Sequence, residues 1–178
     1  MKIIDTKFKG LKIITQDKFQ DNRGYLRITH NQKLFKKKDF VFEYCTNSKK
    51  NSLRGFHFQS KYQQSKYVTV IKGKILDCVI DLRKNSKTHG KSFKIILSDK
   101  NNLSLYIPEG FAHAYYSYEK ENIIYYKLNN YYQPEFEDGI NVFEKNLKIK
   151  WPGKTFLISR KDKKLGSLDD FKKNYKFL

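Results

Sequence analysis

The chain has 178 residues, of which 39% are hydrophobic and 16% are aromatic, including 13 Tyr and 14 Phe. This length suits one domain with a sizeable core, so we expect a single domain over residues 1–178 with one active site. The aromatic content excludes disorder of the whole chain, because rigid apolar rings supply ample surface to bury.

The chain is strongly basic, with 37 Lys and Arg against 18 Asp and Glu and a formal net charge of +19. Such a charge suits nucleic acid, an anionic membrane or a phosphorylated small molecule, and does not choose among them. Much of the excess is scattered Lys in a chain also rich in Asn, Ile and Tyr, which favours biased codon usage. The runs Lys36-Lys37-Lys38 and Lys163-Lys164 are then solvated faces.

Cysteine content and hydropathy point to an intracellular protein. Cys45 and Cys78 are too few for a disulfide scaffold, and Cys78 lies in an apolar run typical of a buried free thiol. We find neither an apolar stretch of signal-peptide length nor the ~18 uninterrupted apolar residues of a membrane helix. We therefore expect a cytoplasmic protein with no membrane partner.

Ten short β-rich segments separated by turn signals follow one another along the chain, which is typical of a β-sandwich or barrel. The link Lys72-Gly73-Lys74 predicts a tight hairpin, and Asp21-Asn22-Arg23-Gly24 predicts a turn. The ten predicted strands are Leu11–Thr15, Tyr25–Thr29, Phe40–Cys45, Leu53–Gln59, Lys66–Ile71, Ile75–Leu82, Ser92–Leu97, Leu103–Ile107, Ala112–Tyr118 and Ile123–Leu128.

Helical signals appear only near the end of the chain. Ser167 and Asp170 have the spacing of a helix cap, and Leu168, Phe171 and Tyr175 recur on one face, so we predict a short C-terminal helix. The segment 141–164 shows little periodicity and is predicted to wrap the barrel as an irregular arm.

His57 and His113 are the histidines that lie beside other candidate chemistry, and a Gly precedes each of them in a segment predicted to be a strand or its approach. Arg54 and His57 are three residues apart, so strict alternation sends them to opposite faces unless the strand bulges. Gly55 permits that bulge, and Arg54 would then suit a phosphorylated substrate through its planar fork of donors.

A metal-dependent barrel enzyme would need two or three His and a carboxylate in a close cluster. Neither an HxH nor an HxxxH spacing occurs in the sequence. We therefore predict no metal and no cofactor.

Seven motifs follow one another along the chain. They are Asp21-Asn22-Arg23-Gly24, the segment 53–59, Gln64-Ser65-Lys66, the segment 79–83, the segment 107–113, Tyr126 with the segment 131–135, and Ser159-Arg160-Lys161-Asp162. In this order they give the chain a resemblance to the dTDP-4-dehydrorhamnose 3,5-epimerases and their relatives that act on other nucleotide-linked 4-keto sugars. The resemblance runs nearly end to end and implies an all-β, cupin-like jelly-roll barrel with short peripheral helices.

The resemblance implies a catalytic set of His57, Asp162, Lys66 and Tyr126. The base would be His57, held in one tautomer and stabilised as a cation by Asp162, because a proton beside a ketone is only weakly acidic. Lys66 would face the developing enolate, and Tyr126 would return a proton from the opposite face. Alternation along the strand places Tyr126 and Tyr132 on one side, consistent with a shared pocket.

The same resemblance implies the substrate contacts. Arg23 and Arg54 resemble diphosphate contacts, His113 lines the sugar pocket, and Glu137 lies near the base. Gln59, Tyr132 and Lys161 complete the expected substrate-binding set. Two departures bear on the identity of the sugar or nucleotide: Phe42 and Tyr44 replace a polar Gln and Asn pair, and Asp138 stands where relatives often place Arg.

The implied reaction is inversion at C3, C5 or both of a 4-keto-6-deoxy sugar, linked to a nucleotide expected to be dTDP, in deoxysugar and surface-polysaccharide synthesis. The alternatives are a 3-epimerase, a 3,4-ketoisomerase, a basic β-barrel that binds nucleic acid, and a catalytically inactive sugar sensor. We favour an epimerase with no nucleic-acid partner. The resemblance also implies a homodimer, in which subunits exchange an N-terminal strand.

Overall fold

The computed structural model describes residues 1–35 and 39–175. The Lys36-Lys37-Lys38 run, interpreted above as a solvated face, lies outside the described residues. Thirteen strands and one α-helix are present in the described part of the chain. Its strands are β1 (Lys2–Asp5), β2 (Lys12–Thr15), β3 (Lys18–Asp21), β4 (Gly24–Arg27), β5 (Phe42–Lys49), β6 (Leu53–Gln59), β7 (Lys66–Lys72), β8 (Lys74–Asp81), β9 (Ser92–Ser98), β10 (Leu103–Ile107), β11 (Phe111–Ser117), β12 (Glu121–Leu128) and β13 (Glu137–Gly139).

Two antiparallel sheets face each other and enclose the core. The first sheet has the order β1-β2-β10-β7-β12-β5 and the second has the order β13-β6-β11-β8-β9, while β3 and β4 form a separate hairpin. Side chains from both sheets fill the space between them, among them Val68 and Ile124 from the first and Ile75 and Val79 from the second. All ten predicted strands are present, with ends shifted by at most a few residues.

The predicted hairpin at Lys72-Gly73-Lys74 is wrong. β7 pairs with β10 and β12, whereas β8 pairs with β11 and β9, so the link carries the chain from one sheet to the other. Gly73 allows this crossing because its φ is +87°, and a Cβ there would lie 2.5 Å from the Glu121 carbonyl oxygen. The Asp21–Gly24 turn is confirmed as the tip of the β3–β4 hairpin.

The C-terminal elements follow the sequence prediction. Helix α1 (Leu168–Asn174) begins after Ser167, which forms a reciprocal capping box with Asp170. Leu168 and Phe171 pack against a second core cluster on the outer face of the second sheet. The segment 141–164 is irregular apart from 3-10 turns, as predicted. Within the described ranges, no helix has the length and apolar character needed to cross a membrane.

Candidate active site

A cavity of about 360 Å³ opens between the two sheets. Strands β5, β7 and β12 of the first sheet form one wall, and β6, β11 and β13 of the second sheet form the other. The side chains that line the cavity are Phe42, Tyr44, Thr46, Arg54, His57, Gln64, Lys66, His113, Tyr115, Tyr126, Tyr132 and Glu137.

His57 and Asp162 form a hydrogen-bonded pair at this cavity. The distance from His57 Nε2 to Asp162 Oδ1 is 2.9 Å, and the second carboxylate oxygen accepts the Gly55 N–H at 3.2 Å. Burial by itself raises the pKa of the Asp162 carboxyl, but the hydrogen bond and charge of His57 and the Gly55 N–H outweigh it and lower that pKa. An ionised Asp162 holds the Nε2 proton of His57 and leaves Nδ1 as the acceptor.

The bulge expected at Gly55 brings Arg54 and His57 to the same cavity. In the pairing of β6 with β11, His57 lies opposite His113 and Arg54 opposite Tyr115, so two residues of β6 face one of β11. Gly55 has a φ of +112°, and a Cβ there would lie 2.4 Å from the His113 carbonyl oxygen. A larger residue does not fit.

His113 belongs to a second, more deeply buried pair that sequence analysis missed. Its Nε2 lies 2.8 Å from Asp77 Oδ2, and both side chains are buried. The other oxygen of Asp77 is buried without a hydrogen-bond partner among the described residues. The available signal was a carboxylate inside the apolar run of β8, where a charged side chain is retained only with a partner.

Lys66 directs an unpaired ammonium group toward the cavity from the start of β7. Across the residues described, it forms neither an ion pair nor a hydrogen bond. Burial lowers its pKa to about 8, and the charges of Glu137 and Asp77 act in the opposite direction. Its positive charge is therefore available to an anion that forms in the cavity.

Tyr126 lies on β12, in the sheet opposite His57, and its side chain is only 3% exposed. Its ring stacks on Tyr44 at a centroid distance of 4.8 Å and meets the edge of His113 at 6.0 Å. Burial, more than the neighbouring Tyr115 and Tyr44, raises the pKa of Tyr126 well above its usual value. The phenol is thus held in its protonated form.

Glu137 joins Tyr132 and Lys161 at the mouth of the cavity. The Tyr132 hydroxyl donates to Glu137 Oε2 at 2.5 Å, and the Lys161 ammonium pairs with the same oxygen. Burial tends to raise the pKa of Glu137, but the hydrogen bonds from Lys161 and Tyr132 lower it overall. Tyr132 and Glu137 line the cavity, whereas Lys161 reaches it only through Glu137.

Besides Lys161, two expected substrate contacts do not line the cavity. The buried Gln59 amide is committed to main-chain groups, since it donates to Tyr62 O and accepts the Gln133 N–H, both at 2.8 Å. Arg23 lies at the tip of the β3–β4 hairpin, with its side chain 85% exposed and paired with Asp21. Gln59 instead fixes the segment that carries Tyr132.

Residues outside the expected set also line the cavity. Tyr115 contributes a hydroxyl that bonds Thr46 at 3.0 Å and Ser48 at 2.9 Å, and Gln64 lines the same space. Phe42 and Tyr44, noted above as departures, line it from β5. Asp138, the other departure, does not line the cavity. Its carboxylate accepts a hydrogen bond from the Tyr175 hydroxyl at 2.5 Å, and this contact holds the end of α1.

A jelly-roll barrel whose cavity holds a histidine–carboxylate pair, a buried cation and a phenol held in its protonated form is equipped for acid–base catalysis. The family described as dTDP-4-dehydrorhamnose 3,5-epimerase matches residues 5–170. The chain belongs to this family, a family of carbohydrate epimerases. The resemblance, the fold and the enzyme class expected from the sequence are confirmed.

Curated relatives and solved structures agree on this family. A dTDP-4-dehydrorhamnose 3,5-epimerase of Methanothermobacter thermautotrophicus is 38% identical over 169 residues, covering 91% of each chain. The enzyme of that name from Escherichia coli is 36% identical and covers 96% of each chain. A solved dTDP-6-deoxy-D-glucose-3,5-epimerase from Legionella pneumophila, in complex with dTDP-4-keto-L-rhamnose, is 34% identical with a TM-score of 0.91. That match covers 94% of this chain and 93% of the other.

Among the residues that the structure describes, no group of three or more His, Cys, Asp or Glu is arranged to hold a metal ion. The expectation that the enzyme needs no cofactor remains a prediction.

Proposed function

We propose that this protein inverts both C3 and C5 of a dTDP-linked 4-keto-6-deoxy hexose. The observation that carries the proposal is the placement of His57 with Asp162 on one wall of the cavity and of Tyr126 and Lys66 on the other. Inversion needs a base and an acid on opposite faces of the same carbon, and two facing sheets supply them. The names of the relatives support dTDP as the nucleotide.

The chemistry begins at a carbon beside the ketone. His57 Nδ1 takes the proton, and the electron pair of the broken C–H bond moves into the carbonyl to give an enolate. Lys66 lowers the energy of that enolate, because its charge acts in a site with little water. Tyr126 then gives its proton to the other face, and a new C–H bond forms as the phenolic O–H bond breaks.

Each inversion leaves an imidazolium at His57 and a phenolate at Tyr126. Proton exchange with water restores the neutral imidazole of His57 and the phenol of Tyr126 before the next catalytic cycle. Asp162 stabilises the imidazolium without taking the proton itself, since its own pKa is lowered. The same residues serve C3 and C5 if the sugar presents each carbon to them in turn.

The substrate contacts follow from charge and position. Arg54 is proposed to hold the diphosphate, His113 and Tyr132 to line the sugar, and Glu137 with Lys161 to order the cavity mouth. We keep Arg23 as an expected diphosphate contact only within a homodimer, because in the single chain its side chain faces solvent.

Incubation in deuterated water with dTDP-, UDP- and GDP-linked 4-keto-6-deoxy sugars, followed by NMR at C3 and C5, tests the proposal. We expect deuterium and inverted configuration at both carbons of the dTDP sugar. The control His57→Ala should lose 10²–10⁴-fold in exchange rate, as positioned general bases typically contribute, and Asp162→Asn should lose less. Deuterium at C3 alone would instead assign a 3-epimerase, and no exchange with any sugar would refute the function.

A further inference from the structure

We infer that Tyr44 is a positioning residue that holds the phenol of Tyr126 in the orientation from which it protonates the substrate carbon. The inference rests on the proposed role of Tyr126 as the acid. Tyr44 lines the cavity but is not among the residues to which the proposed reaction gives a role.

The strand register places the two rings side by side. Tyr44 on β5 and Tyr126 on β12 are direct partners in the antiparallel pairing of these strands. Directly opposite residues project to the same face of a sheet, so both side chains point into the cavity. Their rings stack at a centroid distance of 4.8 Å with an interplanar angle of 21°.

The Tyr126 side chain is oriented by contacts of its ring with neighbouring rings and not by a hydrogen bond. Its hydroxyl makes no hydrogen bond to any other group in the described part of the chain, so no polar contact fixes the phenol. Tyr44 covers one side of the ring, and the edge of His113 meets it at 6.0 Å with an interplanar angle of 66°. His113 is itself held by Asp77 and lines the cavity, so the stack with Tyr44 is the contact that can be removed without disturbing that buried pair.

Tyr44 is suited to this task by its own surroundings. It lies on the edge strand β5 and is 37% exposed, whereas Tyr126 is almost fully buried. Phe42 supports it from the same strand at a centroid distance of 5.8 Å. Tyr44 therefore separates the Tyr126 ring from solvent. Without Tyr44, Tyr126 would have open space on one side of its ring.

The test compares Tyr44→Leu with the matched control Tyr44→Phe, which keeps the stack and removes only the hydroxyl. In deuterated water, we measure the ratio of proton exchange to inversion at C3 of the dTDP-linked 4-keto sugar. Tyr44→Leu should raise this ratio about tenfold, the upper end of what one aromatic pair contributes, while exchange itself changes little. Tyr44→Phe should stay within about twofold of the parent.

A second measurement needs no substrate. In protein labelled at the tyrosine ring carbons, with the Tyr126 signal assigned by its loss in Tyr126→Phe, NMR gives the rate at which the ring flips. The flip should be at least about tenfold faster in Tyr44→Leu than in the parent or in Tyr44→Phe. An unchanged flip rate overturns the inference, and so does an equal loss of exchange and inversion in Tyr44→Leu. If the parent turns over no 4-keto sugar, the proposed function fails, and the flip rates still decide whether Tyr44 holds Tyr126.

Discussion

Burial acts on Lys66 and Tyr126 in the same physical way and gives each the form that the proposed reaction requires. Removal from water disfavours any charged form, so the pKa of the Lys66 ammonium falls to about 8 and the pKa of the Tyr126 phenol rises. Lys66 therefore keeps its charge at neutral pH, but its pKa lies only about one unit higher. Tyr126 stays protonated over the whole physiological range.

The pH dependence of turnover should therefore have an alkaline limb set by Lys66. An amine is charged below its pKa, so kcat/KM should fall as pH rises through about 8. In Lys66→Arg the limb should move out of the measurable range, because a guanidinium keeps its charge at every pH at which the enzyme can be assayed. Lys66→Met should be slow at every pH. An alkaline limb with the parental midpoint in Lys66→Arg would contradict this assignment.

The Tyr126→Phe variant should separate removal of the proton from its return. His57, Asp162 and Lys66 keep their places, so the variant should still exchange the C3 proton from the original face. Deuterium should then enter C3 with retained configuration, well above the rate of inversion, as followed by NMR in deuterated water. Equal loss of exchange and inversion would make Tyr126 a binding or packing residue and would direct the search to Tyr132, Lys66 or bound water.

At the scale of elements, the site depends on how strands β6 and β11 pair. The bulge at Gly55 turns Arg54 and His57 to one cavity, and its tight packing against the backbone of β11 leaves room for no side chain. The chain crosses between sheets at Gly73, so β7 with Lys66 and β8 with Asp77 belong to different sheets.

Gly55→Ala should destabilise the fold and reduce activity together. The positive φ costs about 1–3 kcal/mol for a non-glycine residue, and overpacking against His113 and Ala114 adds about 1–3 kcal/mol. Urea unfolding followed by circular dichroism measures the loss. Gly24→Ala is the matched control: its φ is +135°, but nothing lies within 4 Å of the added Cβ, so only the backbone strain should appear. Equal losses in the two variants would show that packing at Gly55 is unimportant.

At the scale of the whole molecule, the β3–β4 hairpin presents apolar side chains that the single chain does not cover. Phe19 and Leu26 are direct partners in this hairpin, so they share a face, and they are 59% and 61% exposed. Adjacent exposed apolar side chains gain stability when a partner surface covers them. It supports the homodimer expected from the resemblance.

Light scattering at micromolar protein concentration should give twice the mass of the chain. Leu26→Asp should shift the mass toward the monomer, because it places a charge in the proposed interface. Leu157→Asp is the control, since Leu157 is as exposed on the irregular arm but lies outside the hairpin. A parental protein with the mass of one chain would refute the dimer.

Much of the architecture was readable from local patterns. Short β-rich segments between turn signals predicted ten of the strands, and the Ser167 and Asp170 spacing predicted the start of α1, because both signals depend on neighbours along the chain. Sequence motifs predicted that His57, Lys66 and Tyr126 share a site. The structure places all three at one cavity.

Other features depend on pairing across the fold. The strands β1, β3 and β13 have only three or four residues and were not predicted, because so short a segment carries little pattern of its own before it pairs with β2, β4 and β6. The sheet to which β7 and β8 belong, and the partnership of His113 with Asp77, follow from which buried surfaces meet. The stack of Tyr44 on Tyr126 is likewise a product of register between strands far apart in sequence. A local pattern shows which faces are apolar and where the chain can turn, whereas tertiary packing determines which distant side chains come into contact.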